Sequence, residues 1–389
     1  MAIEANTVAD NKPIRLGMVG GGNDAFIGGV HRIAARLDGR YTLVAGALSS
    51  SPEKARLSGE ALNLDTDRTY TDFDAMAQAE SERPDGIEVV SIVTPNHVHF
   101  DAAKAFLQRG IHVICDKPLT ATLDDAKQLV AEVEQSKALF FLTHNYTGYP
   151  MVRQAREMVL NDSIGTVRVV QVEYPQDWLT VEETNKQAQW RTDPARSGVG
   201  GSTGDIGTHA FNLSEFITGL SLESLAADLQ SFVPGRLVDD NANVLLRYQG
   251  GAKGILWCSQ VAPGNENSLK FRVYGEKGGL SWQQENPNSL AFTPFGQPCQ
   301  TITRAGSGMY PSVASTTRIP PGHPEGYLEG FANLYNEIAD VISSASNGQS
   351  INHLIPTVTD GVRGVAFIDA CVRSSKQDAA WVSLDSALK

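Results

Sequence analysis

Between residues 14 and 142, short apolar runs alternate with stretches of helical spacing, the pattern of βαβ units around a parallel sheet. The apolar runs fall at 14–20, 41–47, 87–93, 111–115 and 139–142, and the helical stretches at 30–37, 52–62, 97–109 and 122–134. Thr122 and Asp125 form a capping pair at the start of the last helix. A doubly wound α/β domain over 13–143 follows from this. After a further helix at 151–160 the texture changes to alternating segments at 166–174, 243–248, 254–261 and 270–274, which suit antiparallel strands with one buried face. Helices at 327–344 and 356–374 complete an α+β second domain over 144–389. The stretch 287–321 is the least regular, and residues 1–12 are expected to be a flexible tail.

Composition narrows the setting. A chain of 389 residues with 41% hydrophobic and 20% charged positions can bury a core in roughly two domains. A net charge of −12 argues against a nucleic-acid partner. Cys115, Cys258, Cys299 and Cys371 are far apart and form no Cys-x-x-Cys pair, so reduced thiols and no metal site are expected. Glu4 and Asp10 interrupt an N-terminus with no apolar core for a signal peptide, and no stretch is apolar enough to span a membrane. The expectation is a cytoplasmic protein with no membrane partner.

Three clusters carry chemistry. The first strand runs into Gly20-Gly21-Gly22-Asn23, followed by Gly28-Gly29 and a helix, which reads as a dinucleotide turn presenting backbone to a pyrophosphate. Ala25 occupies the place of the third fingerprint glycine, and Gly28 takes that role after a three-residue expansion. The second strand ends in Ser49, Ser50 and Ser51 with Lys54 beyond, where NAD enzymes place an acid, so the reading leans to NADP. Ser51 as a plain helix cap, with Lys54 in water, is the alternative.

Asp116-Lys117-Pro118 ends one strand, and Thr94-Pro95-Asn96-His97-Val98-His99 ends its neighbour. Both then face the crevice where α/β sheets bind ligands, with Asn96 and His99 aimed at the nicotinamide ribose. Each also serves as an ordinary turn or cap residue elsewhere. Asp205 and His209, four residues apart at the start of a helix, share a face on which the carboxylate fixes the imidazole as a general base. A dipole-favoured Asp beside an unrelated surface His is the competing account.

With these residues and Trp190-Arg191, the chain resembles the Gfo/Idh/MocA oxidoreductases, named for glucose–fructose oxidoreductase, inositol dehydrogenase and a rhizopine catabolism protein. Asp116 departs from that family's usual Glu-Lys-Pro, and the expanded glycine turn is a second departure. The resemblance implies an N-terminal Rossmann domain and a C-terminal domain with a large, mostly antiparallel, open-faced sheet through which dimers or tetramers form. It implies that Lys117 bridges nicotinamide and substrate hydroxyl, that His209 is the acid/base with Asp205 beside it, and that Trp190 and Arg191 close over the cofactor.

The expected reaction is hydride transfer between NAD or NADP and a secondary alcohol of a sugar or cyclic polyol. Asn145, Tyr146, Asp177, Trp178, His323 and Tyr327 are the expected grips on substrate hydroxyls, with Tyr149 and Arg153 as weaker candidates. A NAD-dependent glycosidase on the same fold and a non-catalytic dinucleotide sensor remain as rivals.

Overall fold

A computed structural model describes residues 12–23 and 25–388, so the 1–12 tail lies outside the described residues apart from Lys12. The first unit runs β1 (Ile14–Gly20), α1 (Phe26–Leu37), β2 (Tyr41–Ala47), α2 (Pro52–Ala61), α3 (Phe73–Glu82), β3 (Val89–Val93), α4 (His99–Leu107), β4 (His112–Asp116), α5 (Leu123–Gln135) and β5 (Phe140–Thr143). Its five strands are all parallel, in the order β2-β1-β3-β4-β5. Strand order reverses between β1 and β3, which opens a crevice at their carboxyl ends. Every residue of β3 is buried, as a strand covered on both faces requires.

The second unit begins with α6 (Pro150–Leu160), β6 (Val167–Pro175), α7 (Lys186–Arg191), α8 (Pro194–Ser197) and α9 (Thr208–Thr218). Then follow β7 (Leu222–Gln230), β8 (Asn241–Tyr248), β9 (Lys253–Ser259), β10 (Lys270–Gly275), β11 (Gly278–Gln283), β12 (Ser289–Pro294) and β13 (Gln300–Thr303). The chain closes with α10 (Pro311–Ala314), α11 (Tyr327–Ser346), α12 (Val358–Ser375), β14 (Val382–Ser383) and α13 (Asp385–Leu388). Nine strands form one sheet in the order β13-β12-β11-β10-β6-β9-β8-β7-β14, antiparallel except for β6 against β9. Helices α6, α9 and α12 bury one face, while Val169, Leu245, Ile255 and Tyr274 stay exposed on the other.

Several local expectations need correction. Helix α1 starts at Phe26 rather than residue 30, because Gly28 and Gly29 sit inside it despite their poor helix propensity. A Cβ on Gly28 would lie 2.4 Å from the Gly21 Cα, so the glycine is what lets α1 approach the turn. Helix α3 is not among the predicted helices: half of its residues are polar, and Asp72 starts it by accepting the Ala75 amide at 2.8 Å. The irregular stretch holds strands β12 and β13 at the sheet edge. Helix α11, assigned by chain order to the second unit, packs Phe331, Tyr335, Ile338 and Ile342 onto Ile14, Leu16, Val30 and Val89 of the first.

Candidate active site

Gly20 and Gly21 adopt φ of +79° and +73°, the left-handed region that only glycine enters cheaply, and this turn carries the chain from β1 to α1. Ala25, the N-cap of α1, makes no side-chain cap hydrogen bond, the first turn holds no acid, and Ala25, Phe26 and Ile27 line the crevice. A Cβ on Gly22 would press on the Leu48 carbonyl and the Ser58 hydroxyl at 2.9 Å. A dinucleotide fits this cradle, with bare backbone and a helix N-terminus suited to a pyrophosphate, and Asn23, Ser49, Ser50 and Lys54 line the cleft with it. One cleft of about 1190 Å³ continues from there past Thr94, Asn96 and Lys117 to Asp205 and His209.

Lys117 follows β4, and Asp205 comes from a π-helical turn (Thr203–Gly207) that leads into α9. The lysine ammonium donates to Asp205 Oδ1 at 3.0 Å and to the Asp205 carbonyl at 2.7 Å. Arg191 Nε and Gln260 Nε2 reach Asp205 Oδ2 at 3.2 and 2.9 Å. Against the cost of burial, the Lys117 and Arg191 charges hold the Asp205 carboxyl well below the usual carboxylate range. Its oxygens therefore serve two cations and an amide, and no hydrogen bond joins them to His209. The expected Asp205–His209 pairing is absent. Arg191 also stacks over Trp190, 4.3 Å from the ring centroid, and both line the cleft wall.

His209 is nearly buried, at 7% exposure, and lines the cleft. Burial, the Lys117 charge and the neighbouring His144 push its pKa well down, so the ring is a neutral base at neutral pH. Tyr146 and Tyr174 surround it, with ring centroids 4.9 and 6.3 Å away. The Lys117 side of the first unit and the His209 side of the second thus share one cavity.

A directed hydrogen-bond chain lines the far end. Tyr174 donates to Asn267 Oδ1 at 2.7 Å, as does Gln176 Nε2, while Trp178 Nε1 donates to Gln176 Oε1 at 3.0 Å. Tyr174's single proton is committed to Asn267, so Tyr146 is the donor in the 2.5 Å contact between the two hydroxyls. Asn267 Nδ2 donates to Gln284 Oε1 at 3.2 Å, which leaves the Gln284 amide nitrogen as a donor. Asn145 Nδ2 is buried with no partner. Tyr174, Gln176, Asn267 and Gln284 escaped the sequence reading, since only sheet register brings these distant positions together.

Asn145, Tyr146, Trp178 and Tyr327 line the cleft as expected. Several other candidates do not. His99 is wholly buried, its nitrogens 2.9 Å from the Pro118 and Thr94 carbonyls, so it ties two strand ends together and does not reach a ribose. Pro118 is buried beneath the cleft and acts through that carbonyl. Asp177 accepts the Gly264 amide at 3.1 Å outside the cleft. His323 is exposed on a loop whose carbonyl accepts from Arg304. Tyr149 is packed against Tyr146 and Trp282, and Arg153 donates to the Thr147 carbonyl and to Glu337, so both are structural. Asn96 lines the cleft while its amide holds the Ser197 carbonyl at 2.8 Å. Among the described residues no group of three or more His, Cys, Asp or Glu side chains is placed to hold a metal, and no helix is long and apolar enough to cross a membrane.

Residues 14–144 match the family described as oxidoreductase family, NAD-binding Rossmann fold, and residues 152–281 match the GFO/IDH/MocA C-terminal domain. The chain is 35% identical over 381 residues to the Bacillus subtilis (strain 168) uncharacterized oxidoreductase YfiI, covering 96% of this chain and 97% of that one. It is 61% identical to an oxidoreductase from Sinorhizobium meliloti of known structure, with a TM-score of 0.89 over 95% of this chain and 99% of that one. An inositol dehydrogenase homolog from Azotobacter vinelandii, solved with NADH and myo-inositol, is 35% identical with a TM-score of 0.89, over 96% and 98% of the two chains. With its dinucleotide cradle, its Lys117 and His209 in one cleft and both domain types matched in order, the chain belongs to the Gfo/Idh/MocA oxidoreductases.

Proposed function

We propose that this enzyme oxidises a secondary alcohol of an uncharged cyclic polyol or sugar, reversibly, with NAD or NADP. The observation that carries the reading is that Lys117 and His209, from different units, line the cleft that begins at the glycine cradle. The glycine cradle and the cleft wall at Thr94 and Asn96 would hold a nicotinamide cofactor, which would supply the hydride acceptor for the alcohol carbon. The chain's own residues handle the proton: His209 removes it from the hydroxyl, and the Lys117 ammonium steadies the negative charge growing on that oxygen. Asp205 fixes the lysine in place, and Trp190 with Arg191 shields the reacting end from water.

The substrate class follows from the polar chain at the far end. Asn145 and Gln284 offer amide donors, and Tyr146 and Trp178 offer flat faces, which is the mixture that grips ring hydroxyls. Lys117 and Arg191, the cations nearest the acid/base, are already paired with Asp205, so this end favours a neutral ring over a phosphorylated one. The Azotobacter vinelandii relative bound to myo-inositol supports the same class.

For the cofactor, Ser49 and Ser50 after β2 and Lys54 in the first turn of α2 favour the 2′-phosphate of NADP. We further assign a cytoplasmic location, where four unpaired thiols stay reduced, and a homodimer or homotetramer joined through the open face of the nine-stranded sheet.

The test is a screen of cyclic polyols, aldoses, phosphorylated sugars and glycosides with each cofactor, read at the absorbance of the reduced nicotinamide. Turnover of neutral polyols is the expected result. Sugar release from glycosides without net cofactor reduction identifies the glycosidase chemistry instead, and tight cofactor binding with no turnover identifies a sensor. Lys54→Ala should weaken NADP roughly tenfold, about 1.4 kcal/mol, and spare NAD; an equal loss for both contradicts the NADP assignment.

A further inference from the structure

The turn that carries Asp205 is wound in an uncommon way and has no cap of its own. Over Thr203–Gly207 the winding is π-helical, with the Thr208 amide bonded to the Thr203 carbonyl. Such turns are rare and gather at functional sites. The first amides of a helical segment need partners from outside it. Ser202, at the N-cap position, supplies none, because its hydroxyl is itself a donor.

The partner is a carboxylate from a distant part of the chain. Asp239, 6% exposed just ahead of β8, accepts the Gly201 amide at 2.7 Å and the Thr203 hydroxyl at 2.8 Å on Oδ1. On Oδ2 it accepts the Ser202 hydroxyl at 2.6 Å and the Thr203 amide at 2.8 Å. Its carbonyl accepts the Ser202 amide at 2.8 Å. Bonds from donors to a carboxylate are the charge-assisted kind, and this one is filled on both oxygens. Gly201, so pinned, accepts the Asp205 amide on its own carbonyl at 2.9 Å. The next residue supports Asp205 from its other side: the Asp240 carbonyl accepts the Gln260 amide at 2.8 Å, and Gln260 Nε2 reaches Asp205 Oδ2 at 2.9 Å. Asp239 itself does not line the cleft.

We propose that Asp239 is the positioning residue of the Asp205 turn: by pinning residues 201–203 it sets where Asp205 meets Lys117, and so where the lysine ammonium stands against the substrate hydroxyl. This rests on the dehydrogenase reading and adds a part to it. Asp239 touches neither substrate nor cofactor and moves no proton, so its whole effect passes through Asp205.

A double-mutant cycle tests this. In Asp239→Asn one carboxylate oxygen becomes an amide nitrogen facing a backbone N–H, so the turn shifts against Lys117. At temperatures where the variant is folded, kcat/KM should fall about 10- to 10²-fold, with cofactor affinity near wild type. Added to Asp205→Asn, the same change should cost little more, since residues acting as one unit are not additive. The groups facing His209 are Lys117 from the end of β4, His144 after β5, Tyr146, Tyr174 and Asp205, and of these Lys117 carries the positive charge that helps push its pKa down. With Lys117 displaced, the acid limb of kcat/KM should move to higher pH, which a purely structural role would not cause. A crystal structure of cofactor-free Asp239→Asn should show the Lys117 ammonium out of hydrogen-bond reach of the Asp205 carbonyl. If that variant does not fold, Ser202→Ala with Thr203→Val removes only the two hydroxyl donors, and the same pattern is expected at about 3- to 10-fold. Additive losses in the cycle, an unmoved acid limb, or a variant structure with both Lys117–Asp205 bonds intact would overturn the proposal. A wild-type enzyme inactive on every alcohol tried sinks the dehydrogenase reading alone, and the variant structure still decides the role of Asp239.

Discussion

The Lys117 ammonium lies 3.0 Å from Asp205 Oδ1 and 2.7 Å from the Asp205 carbonyl, so a single residue of the second unit holds the cation of the first by both side chain and backbone. Asp205→Asn keeps the shape and removes the charge. A displacement of about 1 Å at a reacting group costs on the order of 10²-fold, and kcat/KM should fall by about that much. Stability should drop by about 1–3 kcal/mol, because Lys117 and Arg191 lose their counter-charge in a mostly buried place. Asp205's pKa is depressed in the folded state, so its contribution is full above the unfolded value of about 3.9 and fades as pH falls below it. Wild-type and variant Tm values should therefore converge only below about pH 4.

The glycine turn makes a paired prediction. Gly28→Ala would put a methyl 2.4 Å from the Gly21 Cα and 2.8 Å from its carbonyl oxygen, both backbone atoms that cannot rotate aside. It should cost about 1–3 kcal/mol and weaken dinucleotide binding, measured by thermal melting and titration. Gly29→Ala, one residue on, meets nothing closer than the Arg32 guanidinium at 4.0 Å and should be neutral or slightly stabilising.

Burial lowers the pKa of four histidines, His99, His112, His144 and His209, and these shape the acid side of the stability curve. His144 and His209 both have folded pKa values below the unfolded value of about 6.5, so the unfolded chain binds more protons beneath that pH. Stability should fall with acidification from about pH 6.5, by up to about 1.4 kcal/mol per pH unit for each ring. His144→Phe should flatten that slope. The acid limb of kcat/KM for alcohol oxidation should likewise lie below pH 6.5, since His209 stays unprotonated to lower pH.

The parallel sheet was legible because its strands are short apolar runs, and β1 and β2 fall where hydrophobicity alone placed them. Lys117, Asp205 and His209 were legible as separate residues, each at the end or start of a regular element. The pairing of Lys117 with Asp205 was not. Helical spacing paired Asp205 with His209, but the long-range charge of Lys117 outcompeted the local neighbour. Tyr174, Asn267 and Gln284 belong to the site only through the register of the nine-stranded sheet and the loops it aligns, which no local pattern encodes. Helix α3 went unseen because only Met76, Ala77 and Glu80 are buried in it, and its Asp72 cap looked like loop.

The open sheet face supplies a test of assembly. Leu245 and Ile255 are register partners on β8 and β9 and stay 51% and 46% exposed, so Leu245→Asp with Ile255→Asp places two charges in the assigned interface. Light scattering should show a dimer or tetramer for wild type and a monomer for the double variant. An unchanged mass would place the contact elsewhere.

A crystal structure of the enzyme with dinucleotide and a turned-over polyol measures the central relationship itself, the convergence of Lys117 and His209 on one reacting alcohol. The account predicts the reacting hydroxyl within hydrogen-bond distance of both Lys117 Nζ and His209 Nε2, with its carbon facing the nicotinamide ring and pyrophosphate on the α1 amides. A hydroxyl bound by neither group, or a nicotinamide outside the cleft between them, would contradict it.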